Sequence, residues 1–233
     1  LQRTNTLLHA VIDQAPFAIT LCEGSAQDWF LTLANQEAQR ITGATEAQQH
    51  KIRFIDGELL NPTVRTWEML HPDGTPIDVR DTPLVRAMVE QRVTRSKEMI
   101  IRRTDGVETY VLANASPIYG DDGSHIAGIF TYPDITENKR TEETIRTLSQ
   151  AMEQSPVSVV ITGLDGVIEY TNRGFERSSG YSSEEMCGQH TRLLGSGNTP
   201  AEGSKEHWST ITSGSSWQGE FQHERRDGSS CLA

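Results

Sequence analysis

Apolar and polar positions follow the same order twice along the chain. A helix-like segment ends before Pro16, and the same pattern ends before Pro156, 140 positions later. Proline disfavours helix in the residue before it, so both helices are predicted to stop there. The β-rich runs that follow cover residues 17–21, 29–34, 157–162 and 167–171. Self-similarity at a fixed offset predicts two domains of one fold.

The repeat continues beyond these strands. Asn35 and Asn172 each end a second strand, and each is followed eight residues later by a glycine, Gly43 or Gly180. Further on, both copies carry a pair of arginines before an Asp-Gly turn, at residues 102–106 and 225–228. Each turn predicts a hairpin. We interpret the arginine pairs as polar hairpin ends that solvate the edge of a sheet.

The first copy then shows two more strands, at residues 109–116 and 126–132. The stretch between Gly43 and the hairpin is longer than in the second copy, which places an insertion at residues 67–83. The order of strand, strand, short helices and three strands predicts an α+β fold, an antiparallel five-stranded sheet with helices on one face.

A segment without glycine or proline joins the two copies at residues 137–154. Ile145, Leu148 and Met152 recur there at spacings of three and four, which predicts an amphipathic helix with a narrow apolar seam. Such a seam suits pairing with a second copy of the chain. The alternative is a single helix packed on its own domain. Two turns of seam are too few to distinguish between these alternatives.

These boundaries divide the chain into four segments. We assign an N-terminal helix to residues 1–14, a first domain to 15–136, a connecting helix to 137–154 and a second domain to 155–233. The second copy stops six residues after Asp227, so we expect it to lack its last strands.

Composition narrows the function classes. The net charge of -11 argues against non-specific binding to nucleic acid or to anionic membranes. The three cysteines are far apart in sequence, and no signal-peptide or membrane-spanning pattern is present, so we expect reduced thiols and a cytoplasmic location. The motifs of P-loop nucleoside triphosphatases, zinc metalloproteases and serine hydrolases do not occur, so the fragment is not expected to be an enzyme.

In the order and spacing of these elements, the tandem copies resemble PAS domains, the sensory modules of bacterial signalling proteins. The run Asp134-Ile135-Thr136-Glu137 is similar to the sequence that ends many PAS domains before a signalling helix. The resemblance implies a sensory input region, a homodimer formed through the flanking helices, and an output domain outside this sequence. That output would make the full-length protein a histidine kinase, a diguanylate cyclase or a phosphodiesterase.

The second copy is similar to PAS domains that bind FAD in redox sensors. The similarity runs over residues 188–200, Trp208, 217–220 and 225–228, and the family's tryptophan pair is nine residues apart, as Trp208 and Trp217 are. Where His223 and Thr191 stand, the family often carries other residues, asparagine and an acidic or polar residue.

The residues themselves suggest how such a pocket forms. A capping box at residues 199–202 predicts a helix that carries Trp208 and stops at Gly214. A predicted strand over residues 217–223 places Trp217, Phe221 and His223 on one face. Thr191, Arg192 and Asn172 complete the candidate FAD site, with Arg192 or Arg225 facing the diphosphate.

Other interpretations of these residues stay open. In one of them, the tryptophans are ordinary core residues, and the chain is a module that serves only dimerisation or relay. Haem bound through His207 ranks below flavin, because that residue is about 100° around the helix from Trp208. A light-sensing flavin adduct needs a cysteine at position 191, where this chain has a threonine. Cys187 is one helical turn away, so adduct chemistry is not expected. The first copy lacks the tryptophan pair and shows no ligand signature.

Overall fold

The computed structural model describes residues 2–60, 66–194, 209–219 and 222–232. The chain divides into two compact units, Leu1–Thr141 and Glu142–Ala233. No helix within the described parts of the chain is both long enough and apolar enough to cross a lipid bilayer.

The first unit combines one large sheet with short helices. Its helices are α1 (Gln2–Asp13), α2 (Gln36–Thr42), α3 (Glu46–Gln49) and α4 (Pro83–Val89), with a 3-10 turn at Val79–Asp81. Its strands are β1 (Ala18–Gly24), β2 (Asp28–Ala34), β3 (Arg53–Ile55), β4 (Glu58–Leu59), β5 (Trp67–Leu70), β6 (Thr94–Arg103), β7 (Glu108–Tyr119) and β8 (His125–Tyr132).

The antiparallel sheet has the order β4-β3-β2-β1-β8-β7-β6-β5. The five strands predicted from the sequence form its centre, β2-β1-β8-β7-β6, and the short strands β3, β4 and β5 extend its edges. Along β7 every second residue from Thr109 to Pro117 is buried, which is the period of a strand with one face on the core. Helix α4 packs on β7 and β8, and α2 packs on β1. The predicted α+β architecture is confirmed.

The predicted insertion, residues 67–83, adopts regular structure. It begins as strand β5, which pairs with β6, and turns at Gly74 with a φ of 85°. It continues into the 3-10 turn, and Pro83 is the first residue of α4. The bounds of the short helices predicted between the second strand and the last three strands do not follow from the sequence pattern, because a helix of seven residues makes too short a periodic stretch to stand out.

The second unit contains shorter elements. Its strands are β9 (Val160–Thr162), β10 (Ile168–Thr171), β11 (Gln222–Glu224) and β12 (Ser230–Leu232). Its helices are α6 (Arg173–Ser179) and α7 (Ser183–Met186), with a 3-10 turn at Thr191–Leu194. Strands β9 and β10 form one antiparallel ladder, and β11 and β12 form another.

The strand predicted over residues 217–223 is wrong in its first part. Residues 215–219 have no regular structure, and β11 begins at Gln222. The Trp217 ring folds back over Gly219, so these residues do not extend as a strand. The start of the predicted helix at residues 199–202 lies outside the described residues, but residues 209–212 are helical and Gly214 has a φ of 82°.

The connecting segment is a 19-residue helix, α5 (Thr136–Gln154), as predicted from its periodicity. All of its residues are described, and none is buried. The seam is exposed: Ile145 is 63% exposed, Leu148 59% and Met152 37%.

Candidate functional site

The repeated asparagine is a hydrogen-bond centre in the first unit. Asn35 is fully buried between β2 and α2. Its Oδ1 accepts from the N–H groups of Ile19 (2.9 Å) and Ala38 (3.0 Å). Its Nδ2 donates to the carbonyl oxygens of Ile12 (3.0 Å) and Phe17 (2.9 Å). One side chain therefore joins the end of helix α1, strand β1 and the start of α2.

The second unit repeats this arrangement bond for bond. Asn172 is also fully buried, and its Oδ1 accepts from Val159 (2.8 Å) and Phe175 (2.9 Å). Its Nδ2 donates to the carbonyl oxygens of Met152 (2.8 Å) and Val157 (2.9 Å). An amide group has two donors and two acceptor positions, and all four are used. Asn172 therefore has a structural role, and the expectation that it binds FAD does not fit this geometry.

Two further hydrogen bonds attach the C-terminal end of α5 and the residues after it to the second unit. The Tyr170 hydroxyl donates to Glu153 Oε1 (2.9 Å), and the Arg177 guanidinium donates to the carbonyl oxygen of Ser155 (3.1 Å). Together with Asn172, these bonds attach the C-terminal end of α5 to β10 and α6.

The arginine pairs do more than solvate hairpin ends. Arg103 packs on Gly43, and a side chain at Gly43 would collide with its guanidinium. In the second unit the N–H of Arg226 donates to the carbonyl oxygen of Ser179 (3.0 Å), next to Gly180. Its guanidinium forms a bidentate ion pair with Glu185, at 2.7 and 3.0 Å. In both units, the second arginine anchors a hairpin to the glycine that ends a helix.

The candidate flavin residues are only partly within the described chain. Trp208 and Phe221 lie outside the described residues, and of His223 only the backbone, in β11, is described. Trp217 is half-buried in the irregular segment before β11.

Thr191 and Arg192 begin the 3-10 turn. The Thr191 N–H donates to the carbonyl oxygen of Gly166 (2.9 Å), which fixes this turn beside the β9–β10 hairpin. The Thr191 side chain is half-buried, and the Arg192 side chain is exposed. No described residue pairs with the Arg192 guanidinium. Arg225, the other candidate for the diphosphate, is exposed at the end of the β11–β12 hairpin.

These groups fit part of the chemistry of FAD. A guanidinium binds phosphate oxygens in a bidentate geometry, and an indole stacks on a flat aromatic ring. Arg192 and Trp217 supply these two groups, and Thr191 supplies a hydroxyl. Asn172 is the candidate that does not fit.

The first unit holds a cavity that the sequence pattern does not reveal. It lies inside the core between the sheet and helices α2, α3 and α4, and its volume, measured as space for the centres of water-sized molecules, is about 50 Å³. Its walls are aliphatic and aromatic side chains with a few uncharged polar ones. The polar and aromatic lining includes Thr20, Trp29, Thr42, Gln49, Phe54 and Tyr132.

The lining includes a buried polar atom without a partner in the described part of the chain. The Trp29 Nε1 is buried and finds no acceptor among the described residues. Gln49 is 1% exposed, and its Nε2 donates to Thr42 Oγ1 (3.1 Å) and to the carbonyl oxygen of Ala44 (3.3 Å). A buried polar group without a partner costs about 1–3 kcal/mol, which makes the Trp29 N–H unusual. Alternation along β2 places Trp29 inward, but sequence alone does not show that space remains beside it.

The cysteines are thiols with different environments. Cys22 is buried on β1, where its Sγ donates to the carbonyl oxygen of Gly128 (3.2 Å), and burial raises the pKa of this thiol to about 12. Cys187 is exposed, and its sulfur is near Ser183 and the carbonyl oxygen of Glu169. The side chain of Cys231 lies outside the described residues.

Two family profiles match the chain. The profile described as "PAS domain" matches residues 18–137, and the profile described as "PAS fold" matches residues 146–232. The two matches follow the two copies of the sequence repeat.

Curated relatives match over shorter stretches. A nitrogen fixation regulatory protein of Klebsiella oxytoca is 38% identical over 77 residues, which are 33% of this chain and 16% of that protein. A bacterioopsin transcriptional activator of Halobacterium salinarum is 33% identical over 87 residues, 36% of this chain and 13% of that protein. The matched stretches thus span less than a fifth of these relatives.

Among solved structures, an RNA-binding light-oxygen-voltage receptor is 19% identical. That match covers 63% of this chain and 37% of the receptor, with a TM-score of 0.42. A PAS domain from Colwellia psychrerythraea, also 19% identical, matches over 57% of this chain and 98% of that domain, with a TM-score of 0.39.

Proposed function

Because the chain belongs to the PAS family, we propose that it is the input region of a bacterial signal-transduction protein that senses redox state or oxygen through FAD in its second domain. One observation carries the flavin proposal. The second copy combines Trp208 and Trp217, nine residues apart, with the exposed guanidinium of Arg192, which has no ion-pair partner among the described residues.

Each candidate residue has a separate task in this proposal. Arg192 holds the diphosphate, Trp217 and Trp208 pack on the flat ring, and Thr191 offers a hydroxyl to the polar edge. When bound, FAD supplies a two-electron redox centre whose N5 carries a proton only in the reduced form. His223 is the side chain that we expect to exchange its hydrogen-bond partner with redox state.

The relay is proposed to run through helix α5. Its C-terminal end is attached to the second domain by Asn172, Tyr170 and Arg177. Its N-terminal end is attached to the first domain, where the N–H of Tyr110 donates to Thr136 Oγ1 (3.0 Å) and Lys139 pairs with Glu98 (2.8 Å). A change at either end therefore acts on the same helix.

The activity of the whole protein is a further part of the proposal. PAS domains are sensory and not catalytic, so the enzyme is expected outside these two domains. We propose a histidine kinase, or a diguanylate cyclase or phosphodiesterase, as the output.

The flavin proposal predicts a yellow protein. The purified chain should show flavin absorption that bleaches with dithionite, and released cofactor should run as FAD in chromatography. The Trp217→Ala variant should bind FAD about tenfold more weakly, since stacking on an aromatic ring contributes about 1–1.5 kcal/mol. The control is Leu164→Ala, at a position that is 83% exposed in the same unit. This variant should bind FAD as the unmodified chain does.

Other spectra would identify the alternatives. A Soret band would show haem and overturn flavin. A colourless protein that cannot be loaded with FAD would leave a cofactor-free relay module, which is the second candidate function. The exposed seam of α5 favours that candidate, because a relay module needs only a helix that can pair.

The same seam carries the proposal of a homodimer. Ile145, Leu148 and Met152 recur at the spacing of a two-helix seam and have no cover within the described chain. Leu148→Glu should raise the dimer dissociation constant at least about tenfold, since it buries a charge. Thr147→Glu, on an exposed position one residue away, is the matched control. Light scattering coupled to gel filtration measures both, and an unmodified chain that is monomeric throughout the micromolar range would refute the dimer.

A further inference from the structure

We infer that the first domain carries a docking surface for an acidic protein segment that also has apolar side chains. The surface is formed by the end of helix α4, the residues that lead from it into β6, and the end of β7. Its residues are Val89, Arg92, Val93, Arg95 and Tyr119. It is part of neither the proposed flavin site nor the exposed seam of α5.

The docking surface is cationic in an acidic chain. The whole chain has a net charge of -11, whereas residues 89–97 have three cations (Arg92, Arg95 and Lys97) and one carboxylate (Glu90), a net charge of +2. Arg92 and Arg95 are exposed, and among the described residues neither guanidinium has an ion-pair partner. Six other arginines of the same unit do pair with carboxylates, namely Arg40, Arg53, Arg80, Arg86, Arg102 and Arg103. The two unpaired guanidiniums are therefore available to the carboxylates of a partner.

Exposed apolar side chains accompany these guanidiniums. Val89 is 40% exposed, Val93 44% and Tyr119 48%. The Tyr119 hydroxyl donates to Gln91 Oε1 (3.3 Å), which places the tyrosine beside the segment that carries the two valines. Tyrosine and arginine are enriched among the residues that contribute most of the binding energy at protein interfaces. A partner that uses the whole surface therefore needs apolar side chains as well as carboxylates.

Hydrogen bonds fix the shape of the docking surface. Gln91 has a φ of 52° and Ser96 a φ of 50°, a left-handed backbone that residues other than glycine seldom adopt. The Ser96 N–H donates to Asn114 Oδ1 (2.9 Å), and the Arg92 N–H donates to the carbonyl oxygen of Arg86 in α4 (3.2 Å). A surface that is already held in one conformation loses little entropy when a partner binds.

Other anionic partners fit this surface less well. Nucleic acids and anionic membranes are attracted by basic proteins, and the net charge of -11 opposes both. A phosphate backbone also offers no apolar side chain to Val89 and Val93. A protein segment supplies carboxylates and apolar side chains together, so it is the partner that matches both parts of the surface.

The experiment uses the full chain and, as the probe, a fluorescein-labelled peptide in which pairs of glutamates alternate with pairs of leucines. Fluorescence anisotropy should show binding in the micromolar range that weakens as salt is added, because salt screens exposed charges. Arg92→Glu should weaken binding about tenfold. Lys51→Glu makes the same change of charge at another exposed cation of the first domain, and it should bind the peptide as the unmodified chain does.

A second pair of variants tests the apolar part of the surface. Val93→Ser should weaken binding of the peptide about fivefold, because the partner no longer covers an apolar side chain there. Val107→Ser, at a valine of the same domain that is 49% exposed and outside the docking surface, should leave the affinity unchanged.

Three results would overturn the inference. One is no binding of the peptide at millimolar concentration. Another is an equal loss of affinity in Arg92→Glu and Lys51→Glu, since net charge alone would then explain the binding. The third is tighter binding of the chain to vesicles of anionic phospholipid than to the peptide, which would identify a lipid surface as the partner. Peptide binding is measured without reference to FAD content or to dimer formation, so its failure leaves the other proposals intact.

Discussion

Replacing Asn35 by alanine is expected to lower the free energy of unfolding of the first domain by about 4 kcal/mol, since each orphaned buried polar group costs about 1–3 kcal/mol. The substitution removes four hydrogen bonds at once, two to buried N–H groups and two to carbonyl oxygens. It also removes the cap of α2, because the Ala38 N–H belongs to the first turn of that helix. A methyl group leaves the N–H groups of Ile19 and Ala38 inside the protein without an acceptor.

The matched control is Gln36→Ala, on the exposed next residue of the same chain segment. It should change the free energy of unfolding by less than about 0.5 kcal/mol, as surface substitutions do. Urea unfolding followed by tryptophan fluorescence measures both variants, because Trp29 is buried in the same domain. An Asn35→Ala domain as stable as the control would mean that water replaces these four bonds without loss.

The asparagine shows where sequence reasoning succeeds and where it stops. The recurrence of Asn35 and Asn172 before a glycine is visible in the sequence, and it correctly marks equivalent points of two similar domains. The partners of Asn172 are not visible, because Met152 and Val157 lie 20 and 15 residues earlier in the sequence and approach it only after the chain folds back. Because these partners cannot be read from the sequence, sequence reasoning assigns Asn172 to the cofactor site as a polar residue of the candidate pocket.

The central sheet was predictable for a different reason. Strict alternation along β7 specifies a strand locally, and the Asp-Gly turn at residues 105 and 106 specifies a hairpin. The short strands β3 and β4 have no such pattern, since three residues and two residues are too few to show a period. Strand β3 forms because β2 offers an open edge with which Arg53 and Phe54 pair, and β4 pairs in turn with β3.

The cavity of the first unit could not be predicted from the sequence. Periodicity tells which side chains face inward, and it places Trp29 and Leu31 on the core side of β2. Whether inward side chains fill the space depends on the sum of their volumes against the distance between sheet and helices. That distance is set by α3, α4 and the turn at Val79–Asp81, which have four, seven and three residues and are too short for a local pattern to predict.

Replacing Gly174 by alanine should detach helix α5 from the second domain. A methyl group at this position would collide with the carbonyl oxygen of Val157 and lie 2.9 Å from that of Ser155. These carbonyls cannot withdraw freely, because Asn172 Nδ2 holds the first and Arg177 holds the second. Overpacking against fixed backbone costs about 3 kcal/mol, at the upper end of the usual range, and here it strains the bonds that attach the end of α5.

Hydrogen exchange at the N–H groups of Val159 and Phe175 measures the effect, because both donate to Asn172 Oδ1. Their exchange should accelerate about 100-fold, which corresponds to the same 3 kcal/mol. Glu37 holds the equivalent position of the first domain, two residues after Asn35, and already carries a Cβ. Glu37→Ala is thus the control, and it should leave exchange at Ile19 and Ala38 within a few-fold of the unmodified chain. Normal protection of Val159 and Phe175 in Gly174→Ala would show that the segment after α5 can shift without loosening Asn172, and the proposed relay would lose its attachment point.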